Sequence, residues 1–326
     1  MKILAIGATG FVGSRVTRQL IAQGHQVALF HRGNTTASDL DSIVHFYGTR
    51  NQLPNFKAQF EQFAPDVVLD IIPFTEAQAK DIVQVLGGFT QRIIAISSGD
   101  VYRNYEGLQG QGKHPPDPVP LTEDAPLRET RYPYRDLEGL DFEFKQDYDK
   151  ILVEQVLMQY SDLCTILRLP AMYGVGDRQH RFLPYLQQIF DQQPILLEEE
   201  QAQWKFSHGY VENIAAAIAL AVTNDRAAGR TYNLGEASTP TLLERIQRLG
   251  NLMDWHGEIV TLPKDQLPSH LQMNLQWQYH LAIDTTRFRE ELGYVEPITE
   301  EVALQQTIAW EQENLTATNP ESLNDD

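Results

Sequence analysis

Runs of apolar residues alternate with helical patterns from the N-terminus onward. Continuous apolar segments predict strands, and segments with apolar residues at three- and four-residue spacing predict helices. The predicted strands span residues 2–6, 26–30, 43–47, 66–72, 92–97 and 164–168. The predicted helices span residues 11–23, 56–63, 77–86, 141–160, 181–192 and 211–223. Apolar strands separated by helices indicate a parallel sheet that is covered by helices on both faces.

This alternation is interrupted at residues 103–139, a segment rich in glycine and proline. Loops of that length inside a compact domain are usually either functional or disordered. The segment therefore predicts an insertion that either covers a substrate or moves freely. We expect a dinucleotide-binding domain over 1–170 and a mixed α/β substrate-binding region over 171–314, some elements of which return to the first sheet. Residues 315–326 are expected to form a frayed tail.

The turn after the first predicted strand is the clearest functional signal. It reads Gly7-Ala8-Thr9-Gly10-Phe11-Val12-Gly13 and leads directly into a helix. Glycines at such a turn allow the backbone to approach a pyrophosphate, which the amide groups at the helix N-terminus then bind. The turn predicts a Rossmann-type doubly wound α/β fold with a smaller C-terminal substrate-binding region. We assign cofactor contacts to Gly7, Thr9, Gly10, Phe11, Val12 and Gly13.

The end of the second strand indicates which dinucleotide is favoured. An acidic residue there binds the ribose hydroxyls of NAD, whereas an arginine accommodates the 2′-phosphate of NADP. This chain has Phe30-His31-Arg32-Gly33 and no carboxylate at that point. Arg32 is therefore the predicted phosphate partner, and NADP(H) is preferred over NAD(H).

Composition narrows the functional class. The 326 residues include 26 basic and 44 acidic ones, for a net charge of −18, which disfavours nucleic acid and anionic membranes as partners. We find no apolar stretch of the ~20 residues that a membrane helix needs, and no histidine or cysteine cluster at metal-ligand spacing. The one cysteine, Cys164, lies in an apolar run and is expected to be buried and inert. A cytoplasmic protein without a metal is expected.

Several motifs together resemble the extended and atypical short-chain dehydrogenases/reductases, the NAD-dependent epimerase/dehydratase group. Besides the turn at 7–13, they are the strand-end serine motif at 97–102 and a Lys-x-x-x-Glu segment at 150–154. The Leu-Arg…Tyr-Gly-x-Gly-Asp stretch at 167–177 and the helix start at 208–215 also match. The resemblance extends over nearly all of residues 1–312.

The resemblance implies a catalytic serine, tyrosine and lysine, with the tyrosine four residues before the lysine. Ser98 and Lys150 match, and Lys150 is also expected to contact the ribose of the cofactor. The position four residues before Lys150 is Gln146, which cannot exchange a proton. Tyr148 is expected on the opposite helix face, because two residues correspond to about 200° of rotation.

Three explanations remain open at this point. Another tyrosine supplies the proton, with Tyr102 and the loop residues Tyr132 and Tyr134 as candidates. Alternatively, a different helix start brings Tyr148 inward, or the chain binds a dinucleotide without turnover. We assign Ser98, Tyr102 and Lys150 as the catalytic set.

Arg168 and Arg178 are the predicted contacts of a phosphorylated substrate. The implied function is that of an NAD(P)-dependent epimerase/dehydratase or reductase, which acts on a small or nucleotide-linked substrate. A regulatory dinucleotide-binding protein is one alternative. An RNA-binding protein is another, because atypical members such as the chloroplast stem-loop RNA-binding proteins are also similar, although the acidic charge disfavours it. The lysine-bearing helix either packs on the sheet or forms a homodimer interface.

Overall fold

A parallel sheet forms the centre of the chain, of which the computed structural model describes residues 1–34, 40, 42–136, 142–160 and 163–317. The strands are β1 Lys2–Ile6, β2 Gln26–His31, β3 Val44–Tyr47, β4 Val67–Asp70, β5 Arg92–Ser98, β6 Cys164–Leu169, β7 Ala171–Tyr173, β8 Ile195–Glu198, β9 His208–Tyr210, β10 Thr231–Asn233 and β11 Ile259–Leu262. Seven of them lie side by side in the order β3-β2-β1-β4-β5-β6-β10, and all neighbours are parallel. The predicted Rossmann-type fold is confirmed.

Helices cover both faces of this sheet. They are α1 Gly13–Ala22, α2 Lys57–Phe63, α3 Glu76–Leu86, α4 Arg103–Leu108, α5 Lys150–Tyr160, α6 Leu183–Phe190, α7 Glu199–Ala202, α8 Val211–Thr223, α9 Leu242–Leu252, α10 Thr286–Leu292 and α11 Glu300–Ala317. Side chains of β1 alternate between two apolar clusters. Ile3 and Ala5 pack with α1 and α8, whereas Leu4 and Ile6 pack with α2, α3 and α5. Burial on both faces explains why the strand has no polar alternation.

The C-terminal region has an apolar cluster of its own, formed mainly by α6, α9, α11 and β8. Two short parallel pairs, β8 with β11 and β7 with β9, lie outside the main sheet. The strand β10 returns to the main sheet beside β6. The two regions are therefore joined through a shared sheet.

Several predicted boundaries need adjustment. Helix α11 continues to Ala317, three residues into the segment that was expected to fray, and residues 318–326 lie outside the described ranges.

Cys164 is buried as predicted, and burial raises the pKa of its thiol to about 11. Among the described residues, no helix is both long and apolar enough to span a bilayer.

The predicted helix at 141–160 is wrong in its N-terminal half, because α5 begins only at Lys150. Residues 142–149 form turns and a short bridge between Tyr148 and Thr75, and residue 141 is outside the described ranges. The Asp149 carboxylate accepts a hydrogen bond of 3.0 Å from the amide of Ile151. An aspartate in that position caps a helix N-terminus, so Asp149 determines where α5 starts.

Asp149 also anchors the insertion, of which residues 137–139 are not described. Its carboxylate forms an ion pair with Arg128 at 2.8 Å, and both side chains are fully buried. The same carboxylate accepts a hydrogen bond from the amide of Tyr132. Residues 103–136 contain α4, and the Arg128 side chain also donates to the carbonyl of Asp100 just beyond β5. The described part of the insertion is therefore packed against the start of α5.

We predict that Asp149→Asn lowers the free energy of unfolding by about 3 kcal/mol or more, because the buried Arg128 guanidinium loses its counter-charge. Asparagine retains the helix cap, so the loss reports on the ion pair. Urea denaturation measures the change. The control is Glu76→Gln, which breaks the exposed pair with Lys80 and should change stability by less than about 0.5 kcal/mol. Equal effects of the two substitutions would contradict the prediction.

Candidate active site

A cavity of about 380 Å³ lies where β5 and β6 end, which is the edge of the sheet where ligands bind in open α/β folds. Ser98, the last residue of β5, lines it together with Asp100. Three tyrosines also line it, namely Tyr105, Tyr134 and Tyr148, and the other polar wall residues are Gln179, Arg181 and Ser207. The cavity thus combines hydroxyls, a carboxylate, three phenols, an amide and a guanidinium.

Asp100 is the centre of this cluster. The hydroxyls of Tyr134 and Tyr148 both donate to its Oδ2 at 2.8 Å. Its Oδ1 is buried and has no hydrogen-bond partner within the described part of the chain. Buried carboxylate oxygens are normally paired, so Oδ1 is an unsatisfied acceptor in a residue that lines the cavity. Sequence reasoning missed Asp100, although an acidic residue directly after the strand-end serine motif was a usable signal.

The environment of Tyr148 keeps its phenol protonated. Burial and the negative charge of Asp100 raise its pKa well above the ordinary value, and contact with the Ser98 hydroxyl opposes this only in part. The same two causes raise the pKa of Tyr134. At neutral pH both groups are therefore proton donors.

Lys150 lies close to Tyr148. Its Nζ is 5.9 Å from the centre of the Tyr148 ring and 4.8 Å from that of Phe74. The ammonium donates to the carbonyls of Pro73 and Ile96 at 2.9 Å each. Burial lowers the pKa of Lys150 to about 8. Tyr148 and Lys150 are thus close in space although they are only two residues apart in the sequence. The family resemblance implies a spacing of four residues.

The expectation that Tyr148 points away from Lys150 is wrong, because Tyr148 precedes the helix and helical geometry does not apply to it. Of the three explanations, the one in which a different helix start brings Tyr148 inward agrees with the structure. Gln146 is exposed, and its carbonyl accepts a hydrogen bond from Arg135. It is not among the residues that line the cavity.

Tyr102 and Arg168 lie deeper in the protein and do not line the cavity. The Tyr102 hydroxyl donates to Asn233 at 2.6 Å and accepts from Arg168 at 3.0 Å. Arg168 forms a two-bond ion pair with Glu154 at 2.7 and 3.0 Å. The structure therefore engages both predicted residues in an internal network and not in the wall of the cavity.

A second cavity of about 450 Å³ adjoins the glycine turn, where Thr9, Gly10 and Phe11 line it. A Cβ atom on Gly10 would meet no atom within 4 Å, so the backbone at Gly10 borders open space. Val12, in the N-cap position of α1, makes no capping hydrogen bond with its side chain. No side chain caps α1, although the amide of Ser14 donates to the carbonyl of Gly10 at 3.0 Å. An uncapped helix start beside a glycine turn and an open cavity fits a pyrophosphate.

The other predicted turn residues have packing roles. Gly7 has a φ of +71°, and a Cβ there would lie 2.5 Å from the Ile72 side chain. A Cβ on Gly13 would lie 2.5 Å from the Cα of Ala8, which is backbone and cannot yield. Val12 is buried in the core. These residues shape the turn, whereas Thr9, Gly10 and Phe11 border the space that a ligand would fill.

Arg178, Arg181 and Arg32 differ in their settings, and of the three only Arg32 lines neither cavity. Arg178 is exposed and lines the cavity at the glycine turn. Arg181 lines that cavity and also the one that contains Ser98, so the two adjoin. Arg32 is exposed just beyond β2 and forms an ion pair with Glu143 at 3.2 Å. No group of three or more potential metal ligands occurs among the described residues.

Comparison with known proteins identifies one matching family model. The model of the NAD dependent epimerase/dehydratase family matches residues 3–235. Over nearly the full lengths, the chain is 23% identical to a probable dTDP-glucose 4,6-dehydratase of Sinorhizobium fredii, covering 96% of this chain and 93% of that protein. A shorter match, 32% identical over 111 residues, is to the chloroplast stem-loop binding protein of 41 kDa b of Arabidopsis thaliana. It covers 30% of this chain and 29% of that protein.

Solved structures share the fold at low sequence identity. A UDP-glucuronic acid 4-epimerase from Bacillus cereus, in complex with UDP-glucuronic acid and NAD, superposes with a TM-score of 0.69 at 17% identity. The match covers 96% of this chain and all of that one. A UDP-glucose 4-epimerase from Thermotoga maritima with UDP-glucose has a TM-score of 0.67 at 15% identity, covering 97% and 100%.

We predict that Asp100→Asn lowers the pKa of Tyr148, because it removes a negative charge that disfavours the phenolate. Carbon-13 labelling of the tyrosine ring and an NMR titration measure the change, with a Tyr148→Phe sample to assign the signal. In wild type the Tyr148 signal should stay in the phenol position beyond the ordinary titration range, and in the variant it should titrate at lower pH. An unchanged titration would show that Asp100 does not control Tyr148.

Proposed function

Because the chain belongs to the NAD dependent epimerase/dehydratase family, we propose that it binds a nicotinamide dinucleotide and exchanges hydride with a hydroxyl-bearing or carbonyl carbon of a small substrate. The adjoining cavities support this proposal. The cavity at Gly10 and the cavity with Ser98, Asp100 and Tyr148 share Arg181 as a wall residue. A cofactor phosphate at the turn and a reactive oxygen at Ser98 therefore have neighbouring places to bind.

In this proposal a bound nicotinamide dinucleotide supplies hydride exchange. Ser98 orients the reacting substrate oxygen by hydrogen bonding. As a carbonyl is reduced, the Tyr148 hydroxyl turns its single proton from Asp100 Oδ2 to the substrate oxygen and donates it, and Tyr148 takes a proton back when a hydroxyl is oxidised. The ammonium of Lys150 near the ring stabilises the phenolate that forms between these steps.

Asp100 has a different role from the serine and tyrosine. Its Oδ2 holds the hydroxyl of Tyr148, and its unpaired Oδ1 accepts a hydrogen bond from a second hydroxyl of the substrate. A ligand hydroxyl that donates to this buried oxygen satisfies an acceptor that otherwise has no partner. This favours binding of a polyhydroxylated ligand. Sugars and glycosides belong to that chemical class, and the two solved neighbours hold sugar nucleotides in their complexes.

We assign NADP(H) as the preferred cofactor of this chain, although the Bacillus cereus neighbour contains NAD. The support is local. Arg32 is exposed just beyond β2, and residues 29–33 contain no carboxylate that would bind ribose hydroxyls.

The test of the proposal is a fluorescence titration with NADPH and NADH. Wild type should bind NADPH more tightly than NADH, and Arg32→Ala should weaken NADPH binding while leaving NADH binding nearly unchanged. Gly10→Val should weaken both by about tenfold or more, because its side chain fills the space at the turn. Gly88→Val is the matched control, since a Cβ at that exposed glycine also meets no atom within 4 Å. Binding that persists in Gly10→Val would refute the cofactor site.

A second prediction distinguishes the two tyrosines. With any UDP-sugar, dTDP-glucose or simple ketone that supports turnover, Tyr148→Phe should lower kcat by about 10²-fold or more, as expected for loss of a proton donor. Tyr102→Phe should retain kcat and lose about 1 kcal/mol of stability, because a buried hydrogen-bonded hydroxyl is removed. A lower kcat in Tyr102→Phe with an unchanged kcat in Tyr148→Phe would identify Tyr102 as the acid/base. Cofactor binding without turnover across the panel would favour a regulatory dinucleotide-binding protein.

A further inference from the structure

A third cavity, of about 270 Å³, adjoins the cavity that contains Ser98, with Arg181 and Phe206 lining both. Its wall is dominated by large apolar side chains: Phe182, Tyr185, Trp204, Phe206, Leu275 and Trp277. We refer to it as the aromatic cavity. A ligand that places its reacting oxygen at Ser98 has this space directly beside it.

The rings of the aromatic cavity offer mainly faces and edges, and the Tyr185 phenol is the one hydroxyl among them. Trp204 and Phe206 stack with ring centres 4.8 Å apart, and Trp277 meets Trp204 edge-on at 5.2 Å. The indole N–H of Trp204 donates to the Tyr279 carbonyl, and that of Trp277 donates to Glu198, at 3.0 Å each. Both indole donors are therefore already used within the protein. Such a wall favours a flat, apolar ring.

The two arginines of the wall already have carboxylate partners. Arg181 pairs with Asp177 at 2.8 Å. Arg245 pairs with Glu236 and, at 2.7 Å, with Glu300. Each guanidinium thus has at least one carboxylate partner before any ligand arrives. A diphosphate normally binds to cations that are free to form charge-assisted hydrogen bonds.

His208 also lines the aromatic cavity, and it is neutral. Loss of hydration and the two nearby guanidinium groups lower its pKa to about 3. The remaining polar wall residues, Gln201 and Thr241, are uncharged. A doubly negative group placed here would lose its hydration without gaining a free cation, which is unfavourable.

We propose that the aromatic cavity binds an uncharged planar ring of the substrate, so that the substrate is an aryl-bearing alcohol, ketone or glycoside rather than a nucleoside diphosphate sugar. The size is suitable, because apolar cavities of about 150 Å³ already hold benzene. This assignment narrows the substrate class of the proposed function and rests on it for the reacting end of the molecule. Binding of the ring itself does not require the cofactor.

The test uses the uncharged naphthyl ketone prodan, whose emission shifts to the blue in an apolar site. The full chain should bind it with energy transfer from tryptophan, because Trp204 and Trp277 form the wall. Met273→Glu should weaken binding about tenfold or more, since it adds a carboxylate to the wall. Met273 is exposed, so the variant should fold. Val295→Glu, at an exposed apolar position outside the cavity, is the matched control and should bind prodan like wild type.

Competition with UDP-glucose decides between the ligand classes. The inference requires that millimolar UDP-glucose leaves prodan bound. Displacement of prodan by UDP-glucose from wild type, or equal prodan binding by wild type and Met273→Glu, would overturn it. Prodan binding should also survive in Gly10→Val. In wild type, prodan binding without NADPH binding would count against the proposed function, whereas NADPH binding without prodan binding would count against the aromatic cavity alone.

Discussion

The buried ion pair between Arg128 and Asp149 is the constraint on which the candidate active site depends. Asp149 caps the start of α5 and also pairs with Arg128 of the insertion. Because an extended helix would move Asp149 into the helix interior, extending α5 towards the N-terminus would break this pair. As a result Tyr148 lies outside the helix, where it bridges to Thr75 and places its hydroxyl on Asp100. The tyrosine–lysine contact is thus obtained with a shorter spacing than the family resemblance implies.

Most of the sheet was predictable because its strands are buried on both faces, which leaves continuous apolar runs in the sequence. The strand at 2–6 and the helix at 211–223 were predicted to the residue. The start of α5 was not, because apolar periodicity does not mark where a helix begins. The capping aspartate directly before Lys150 was the available signal, but its partner Arg128 is 21 residues earlier in the chain.

The site residues divide in the same way. Ser98, Thr9 and Gly10 were predicted from local sequence, since each belongs to a strand end or a turn, and they line the cavities. Lys150 was predicted in the same way and lies beside Tyr148. Arg168 was predicted from its motif to bind a ligand, but in the structure its guanidinium forms an ion pair with Glu154. A sequence shows which residues carry charge but not which charges are already paired within the fold. Buried arginines in this chain mainly organise the protein interior, as Arg50 does with Asp70.

The cavity at the glycine turn has the opposite charge to the chain as a whole. Four arginines and one aspartate line it, in a protein whose net charge is −18. An anion diffusing towards the protein is first repelled by the distant field and is attracted only within about 8 Å, the Debye length at physiological salt. Because added salt screens the long-range repulsion more than the short-range attraction, the dinucleotide of the proposed function should be captured faster at moderate ionic strength than in dilute buffer.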